Sequence, residues 1–237
     1  MLVMLGAFAG GFVNGLTGFG TALTAHAFWL HVIGPSLAAP LVTICSVMGQ
    51  LQTLPKIWRD LDWRQLFPFI AGGLAGVPLG TSLLTRIDPL TFKAAVGVLL
   101  ICYSSSMLFF KPSFRIAWGG RIADAVIGVV SGFLGGLAGL SGVLPTVWAA
   151  IRGWTKAESR GVFQAFNLAI LAAALMAYTV AGFFTAKLGW LVLISAPATL
   201  IGVNAGWRVY RQLSDRSYHT IVLSLLLVAG IMLLATS

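Results

Sequence analysis

Apolar runs separated by charged or proline-containing breaks divide the chain into eight segments, roughly residues 2–33, 36–54, 65–85, 90–110, 120–151, 158–182, 188–207 and 218–236. Most have the length of one membrane crossing, for which about twenty apolar residues are needed. The first and fifth run to about thirty residues, too many for one straight crossing. Both are also interrupted by poor helix formers. "GFVNGLTGFGTALTAH" (Gly11 to His26) and "GFLGGLAGLSGVLPT" (Gly132 to Thr146) place glycine, asparagine, serine and threonine where a spanning helix favours leucine.

The two glycine-rich stretches open two similar halves. An offset of 121 residues carries Gly11-Phe12 onto Gly132-Phe133, Gly15-Leu16 onto Gly136-Leu137 and Gly18 onto Gly139. An offset of 126 carries Leu74, Gly76 and Gly80 onto Leu200, Gly202 and Gly206, Ile87 onto Leu213 and Phe92 onto Tyr218. The matches occur in order with nearly constant offset, as a duplicated unit requires. The halves fall at residues 1–113 and 114–237, together forming one integral membrane domain.

Loop charges set the relative orientation of the halves. If all eight segments cross once, the 15 basic residues divide almost evenly between the two sides. If the fifth segment instead folds back to its own side, the connections at 56–64, 111–121, 152–160 and 208–216 share one side. That side then holds all the Lys and Arg except Arg86, Lys93 and Lys187. The positive-inside tendency favours the second arrangement. By repeat symmetry the first segment is a hairpin too, leaving three full crossings per half and both termini outside. The expected fold is therefore an all-α polytopic membrane protein of two inverted repeats, each a Gly-rich helical hairpin plus three transmembrane helices.

Composition agrees with this reading. Hydrophobic residues make up 58% and charged residues 9%, against about 25% charged in a soluble domain. The net charge of +9 is then a matter of loop topology and lipid headgroups, not of nucleic acid. Cys45 and Cys102 lie in apolar runs with no CxxC or His-rich partner, so neither a disulfide framework nor a metal site is expected. The N-terminus lacks a basic n-region and a cleavage pattern, and is read as part of the mature protein. All eight tryptophans, Trp29, Trp58, Trp63, Trp118, Trp148, Trp154, Trp190 and Trp207, fall near segment ends, where interfacial belts form.

Candidate chemistry concentrates at the hairpin turns. Free N–H groups at the start of each second arm, near Gly18, Phe19, Gly20 and Thr21 and near Gly139, Leu140, Ser141 and Gly142, present the positive end of a helix dipole. Non-helical backbone at membrane depth is tolerated only within protein or along a watery cavity. Asn14, Thr17 and Thr21 accompany the first turn and Ser141 the second. Thr43, Ser46, Gln50 and Thr53 form a helical stripe, and Gln164 and Asn167 occupy the repeat-equivalent places of Thr43 and Ser46. These uncharged donors suit a desolvated oxyanion, and the alternative for each is an interhelical hydrogen bond. Gly72, Gly76 and Gly80 are expected to serve close helix packing. Asp60, Asp62, Asp88, Glu158 and Asp215 lie in connections, leaving Asp124 as the one carboxylate near membrane depth. A cation mechanism built on buried acids is therefore disfavoured. His26 is a candidate for proton handling, against a packing role, and Arg152 for the substrate entrance, against an interfacial charge. No Walker loop, nucleophile elbow or HExxH motif occurs, so neither an enzyme nor ATP-driven transport is indicated, and no cofactor.

With "GGFVNGLTGFGTAL", "GFLGGLAGLSGVLPTVW" and the "RIDP" turn (Arg86–Pro89), the chain resembles the sulfite exporter TauE/SafE-like membrane transporters over essentially its whole length. The resemblance implies a multi-pass permease of the bacterial inner membrane that moves sulfite, sulfonates or related small anions, generally outward. The partners expected are a small anion and the lipid bilayer, with a homodimer as an open assembly state. The residues also leave open a passive anion channel and a membrane scaffold subunit without flux.

Overall fold

The computed structural model describes residues 1–56, 63–109, 120–152, 154 and 156–212, together with short helical stretches between 223 and 235. Most of the eighth segment, Trp58, Trp118, Asp60, Asp62 and Asp215 lie outside the described residues. The described chain is helical without strands: α1 (Leu2–Thr17), α2 (Thr21–Trp29), α3 (Pro35–Thr53), α4 (Trp63–Leu84), α5 (Pro89–Phe109), α6 (Gly120–Ala138), α7 (Val143–Arg152), α8 (Lys156–Val180) and α9 (Ala186–Tyr210). Among the described residues, four helical stretches are long and apolar enough to cross a membrane, Leu66–Leu84, Gly120–Ala138, Gly161–Val180 and Ala186–Tyr210.

The first and fifth segments break where their glycines adopt conformations closed to other residues. α1 ends at Gly18 (φ 83°), whose N–H returns to Asn14 O, and α2 starts after Gly20 (φ 91°). α6 ends before Gly139 (φ 69°), whose N–H bonds Gly135 O at 2.8 Å. A side chain at such φ costs about 1–2 kcal/mol, which is why glycine holds all three places.

Each broken segment then returns to its own start. Trp29 Nε1 donates to Val3 O at 2.9 Å, and Arg152 Nη2 reaches Gly120 O at 3.3 Å. A straight helix of about thirty residues would hold those ends about 45 Å apart. The charge tally that folded the fifth segment back thus has a direct geometric counterpart, and the first segment behaves alike. The arms are unequal, however. α1 and α6 have 16 and 19 residues, α2 and α7 only 9 and 10. Each hairpin is thus a long arm with a short return arm.

The long arms pack on helices distant in sequence. The two most extensive helix pairings are α4 with α6 and α1 with α9. In the first, Gly72, Gly76 and Gly80 lie against the backbone of Ala125, Val129 and Phe133, while Gly128, Gly132 and Gly136 lie against Phe69, Gly73 and Val77. Both numberings rise together, so the helices run parallel. In the second, Gly11 and Gly15 meet Thr199 and Val203, and Gly202 and Gly206 meet Phe8 and Phe12. A methyl group on Gly76 would stand 2.7 Å from Phe133 N. Small residues here let backbones approach closely, as expected for Gly72, Gly76 and Gly80.

α3 and α8 pack against each other within the bundle. α3 carries Thr43, Ser46, Gln50 and Thr53, all buried, and falls outside the four apolar stretches because its polar stripe faces protein. The tryptophans divide. Trp63 and Trp190 are 59% and 67% exposed, as a lipid-facing belt requires, whereas Trp29 is fully buried. Trp29 closes the first hairpin through its indole N–H, which places it in the core and not in the belt.

Candidate functional site

The two hairpin turns meet. Phe19, at the first turn, lies over Gly142 at the second, so that a methyl group on Gly142 would stand 2.9 Å from Phe19 Cβ. Gly139 is seated against α3, where a methyl would stand 3.0 Å from Val42 and 3.1 Å from Thr43 Oγ1. Between the turns is a small pocket. One wall is Phe19, Gly20, Ala22 and Leu23, the opposite wall Gly139, Leu140, Gly142 and Val143, and the remaining sides are Ser46 of α3 and Asn167 of α8. None of these residues is ionisable.

Polar groups around the turns fall into two classes. One class is engaged in holding the turns, although Asn14 Oδ1 and Gln164 Oε1 have no hydrogen-bond partner among the described residues. Asn14 Nδ2 donates to Thr21 Oγ1 at 2.7 Å across the first hairpin. Thr17 Oγ1 accepts from Phe19 N–H at 3.0 Å and lies within reach of Val13 O and Phe19 O. Thr43 donates back to Ala39 O at 2.8 Å. Gln164 Nε2 donates to Thr53 Oγ1 at 2.6 Å. Ser141 Oγ donates to Asn167 Oδ1.

The second class faces the pocket. Ser46 is 3% exposed and its hydroxyl has no hydrogen-bond partner among the described residues. Asn167 is equally buried; with Oδ1 engaged by Ser141, its Nδ2 is left without a protein acceptor among the described residues. Both residues border the pocket, so a ligand entering it could accept from these donors.

The helix ends show the same asymmetry. Carbonyls at the end of the long arms are matched by protein donors. Gln50 Nε2 reaches Gly18 O at 2.9 Å, His26 Nε2 reaches Ala138 O at 2.8 Å, and the Tyr178 hydroxyl reaches Gly136 O at 2.6 Å. The first N–H groups of α2 have no side-chain cap, since Gly20 has none to offer. The hydroxyl nearest the start of α7, Ser141, is turned to Asn167. Three carbonyls at the ends of the long arms thus meet side-chain donors, while the start of α2, without a side-chain cap, borders the pocket.

Of the residues singled out from sequence, Phe19, Gly20, Ser46, Gly139, Leu140, Gly142 and Asn167 line the pocket. Asn14, Thr17, Gly18, Thr21, Thr43, Ser141 and Gln164 stand behind it, shaping the turns. His26 bridges the two hairpins, its ring in a T-shaped contact with that of Phe92. Arg152 is at the open end of the second hairpin, 3.4 Å from Asp124 Oδ1 and stacked over Trp148. Along the ten residues of α7 it is about 15 Å from the turn. The apolar walls Ala22, Leu23 and Val143 were missed; their only sequence signal is their place in the first turn of a return arm. Among the described residues no cluster of His, Cys, Asp or Glu fits a metal ion.

The protein-family model for Sulfite exporter TauE/SafE matches residues 2–233. The chain belongs to that family. It is thus a multi-pass membrane protein of a sulfite and sulfonate exporter-type transporter family, and not an enzyme. No curated protein and no solved structure matches the chain.

Proposed function

We propose that this TauE/SafE member is a secondary transporter that exports a small oxyanion, such as sulfite or an organosulfonate, across the bacterial inner membrane. The anion would bind between the hairpin turns. The observation that carries this is the meeting of two helix starts, that of α2 without a side-chain cap, on a pocket bordered by Ser46 and Asn167, whose hydroxyl and amide N–H have no acceptor among the described residues. Backbone N–H groups and neutral side-chain donors suit a desolvated oxyanion, and the apolar walls exclude water from it.

An inverted-repeat architecture is supported by the exchange of packing partners. Under the sequence offsets α1 corresponds to α6 and α9 to α4, and each long arm packs in parallel on the counterpart helix of the other half. A two-fold relation in the membrane plane produces such an exchange, and it brings the hairpins in from opposite sides to meet at their turns. Alternating access then follows from opening the pocket first to one side and then to the other.

The test is reconstitution of the purified protein in proteoliposomes, with flux measured for sulfite, sulfoacetate, methanesulfonate and sulfate. Saturable flux of at least one sulfur oxyanion is expected, competed by the others that fit. No anion-dependent flux for any of them overturns the reading. Unitary single-channel currents would replace alternating access by a passive pore.

A further inference from the structure

We infer that the pocket selects by charge state, admitting the singly charged form of an oxyanion and refusing the doubly charged form. The inference rests on the transporter reading above and adds a rule about which ionic species is carried.

The positive potential available in the pocket is small and can be counted. No Lys, Arg or His is among its lining residues. The titratable groups on the surrounding elements face elsewhere. His26 on α2 is held to Ala138 O, Tyr178 on α8 donates to Gly136 O, and Cys45 on α3 and Tyr103 on α5 do not line the pocket. Arg152 is paired with Asp124 at the far end of α7. What remains is the start of α2, with no side-chain cap, and the start of α7. Each helix end amounts to about half an elementary charge, so the two together offset about one negative charge.

The side-chain donors tell the same story. Ser46 and Asn167, each 3% exposed, present a hydroxyl and an amide to the pocket, both neutral. They strengthen hydrogen bonding to any oxyanion but add no net charge. A monoanion would be met by a matching potential and by two directed donors. A dianion would carry a second charge with no counterpart, and the penalty for burying an ion grows as the square of its charge. Sulfite distinguishes the cases, because its second ionisation falls near neutral pH; a sulfonate is a permanent monoanion and sulfate a permanent dianion.

The experiment measures initial flux in proteoliposomes of the full chain for sulfite and methanesulfonate, across a pH range spanning the second ionisation of sulfite, with sulfate as competitor. The apparent KM for total sulfite is expected to rise about tenfold per pH unit above that ionisation, following the fraction of monoanion. The KM for methanesulfonate should stay flat, and sulfate should fail to compete at concentrations where methanesulfonate competes fully. A sulfite KM independent of pH, or sulfate competing as well as methanesulfonate, overturns the inference while leaving the transporter reading in place. A methanesulfonate KM that shifts in parallel with that of sulfite also overturns it, since titration of the protein, of His26 for example, would then be the cause. Absence of flux for both anions at every pH defeats the transporter reading and the inference with it.

Discussion

His26 Nε2, on the return arm of the first hairpin, lies 2.8 Å from the carbonyl oxygen of Ala138, the last residue of the long arm of the second. The bond joins residues 112 positions apart and fixes Nε2 as the protonated nitrogen. Replacing His26 by Ala leaves the Ala138 carbonyl buried without its donor, a loss of about 1–3 kcal/mol. The His26→Ala protein should melt at a lower temperature in detergent, and His26→Gln, which keeps a donor, should lose less. Equal melting of all three proteins would show that the contact contributes nothing to the fold.

The pocket donors should affect substrate more than stability. Ser46→Ala removes a hydroxyl that has no protein partner among the described residues, so melting should be nearly unchanged. A hydrogen bond to a charged group contributes about 1.5–3 kcal/mol, so KM in the flux assay should rise about tenfold to a hundredfold. Asn167→Asp keeps an acceptor for Ser141 but places a negative charge in the pocket. Flux of any anion should then fall further than in Ser46→Ala.

Asp124 and Arg152 form an ion pair with side-chain exposures of 8% and 16%, and Trp148 Nε1 donates to the same carboxylate oxygen at 2.8 Å. Asp124→Ala removes both contacts and leaves the guanidinium without its counter-charge, whereas Asp124→Asn keeps an acceptor for the indole. Thermal melts should rank wild type above Asp124→Asn, and Asp124→Asn above Asp124→Ala, with a total loss of about 3 kcal/mol or more for breaking a buried pair. Arg152→Ala should lower melting without the KM change seen at Ser46. A KM effect without a stability effect would instead assign Arg152 to substrate attraction.

The glycine seams give a steric prediction. A methyl on Gly132 would stand 2.7 Å from the carbonyl carbon of Gly73, whereas Gly189, near the start of α9, has nothing within 4 Å. Gly132→Leu should therefore abolish recovery of folded protein by size-exclusion chromatography. Gly189→Ala should be tolerated and gain up to about 1 kcal/mol, because alanine is the better helix former.

Much of this was legible in the residues. The glycine breaks of the first and fifth segments, the fold-back of the fifth and the packing role of Gly72, Gly76 and Gly80 all follow from composition, spacing and loop charge. What escaped was relational. A glycine every fourth residue announces that some backbone comes close, but α1 gives no sign that its neighbour is α9. The polar stripe of α3 announces burial without telling its members apart. Ser46 opens onto the pocket, while Gln50, one turn further, is engaged with Gly18 O. The position of each turn, near Gly18 to Thr21 and Gly139 to Gly142, was legible too, and the positive φ of Gly18, Gly20 and Gly139 marks the break there.

The parallel seams between α1 and α9 and between α4 and α6 have a bearing on how the molecule is partitioned. Carbonyl groups of one helix rest where the partner has no side chain, so neither helix can slide along or rotate about the other without collision. Each seam ties a helix of the first half of the chain to a helix of the second. The two halves of the sequence are thus stitched together at both seams, and a cut at the midpoint would separate helices that pack backbone to backbone.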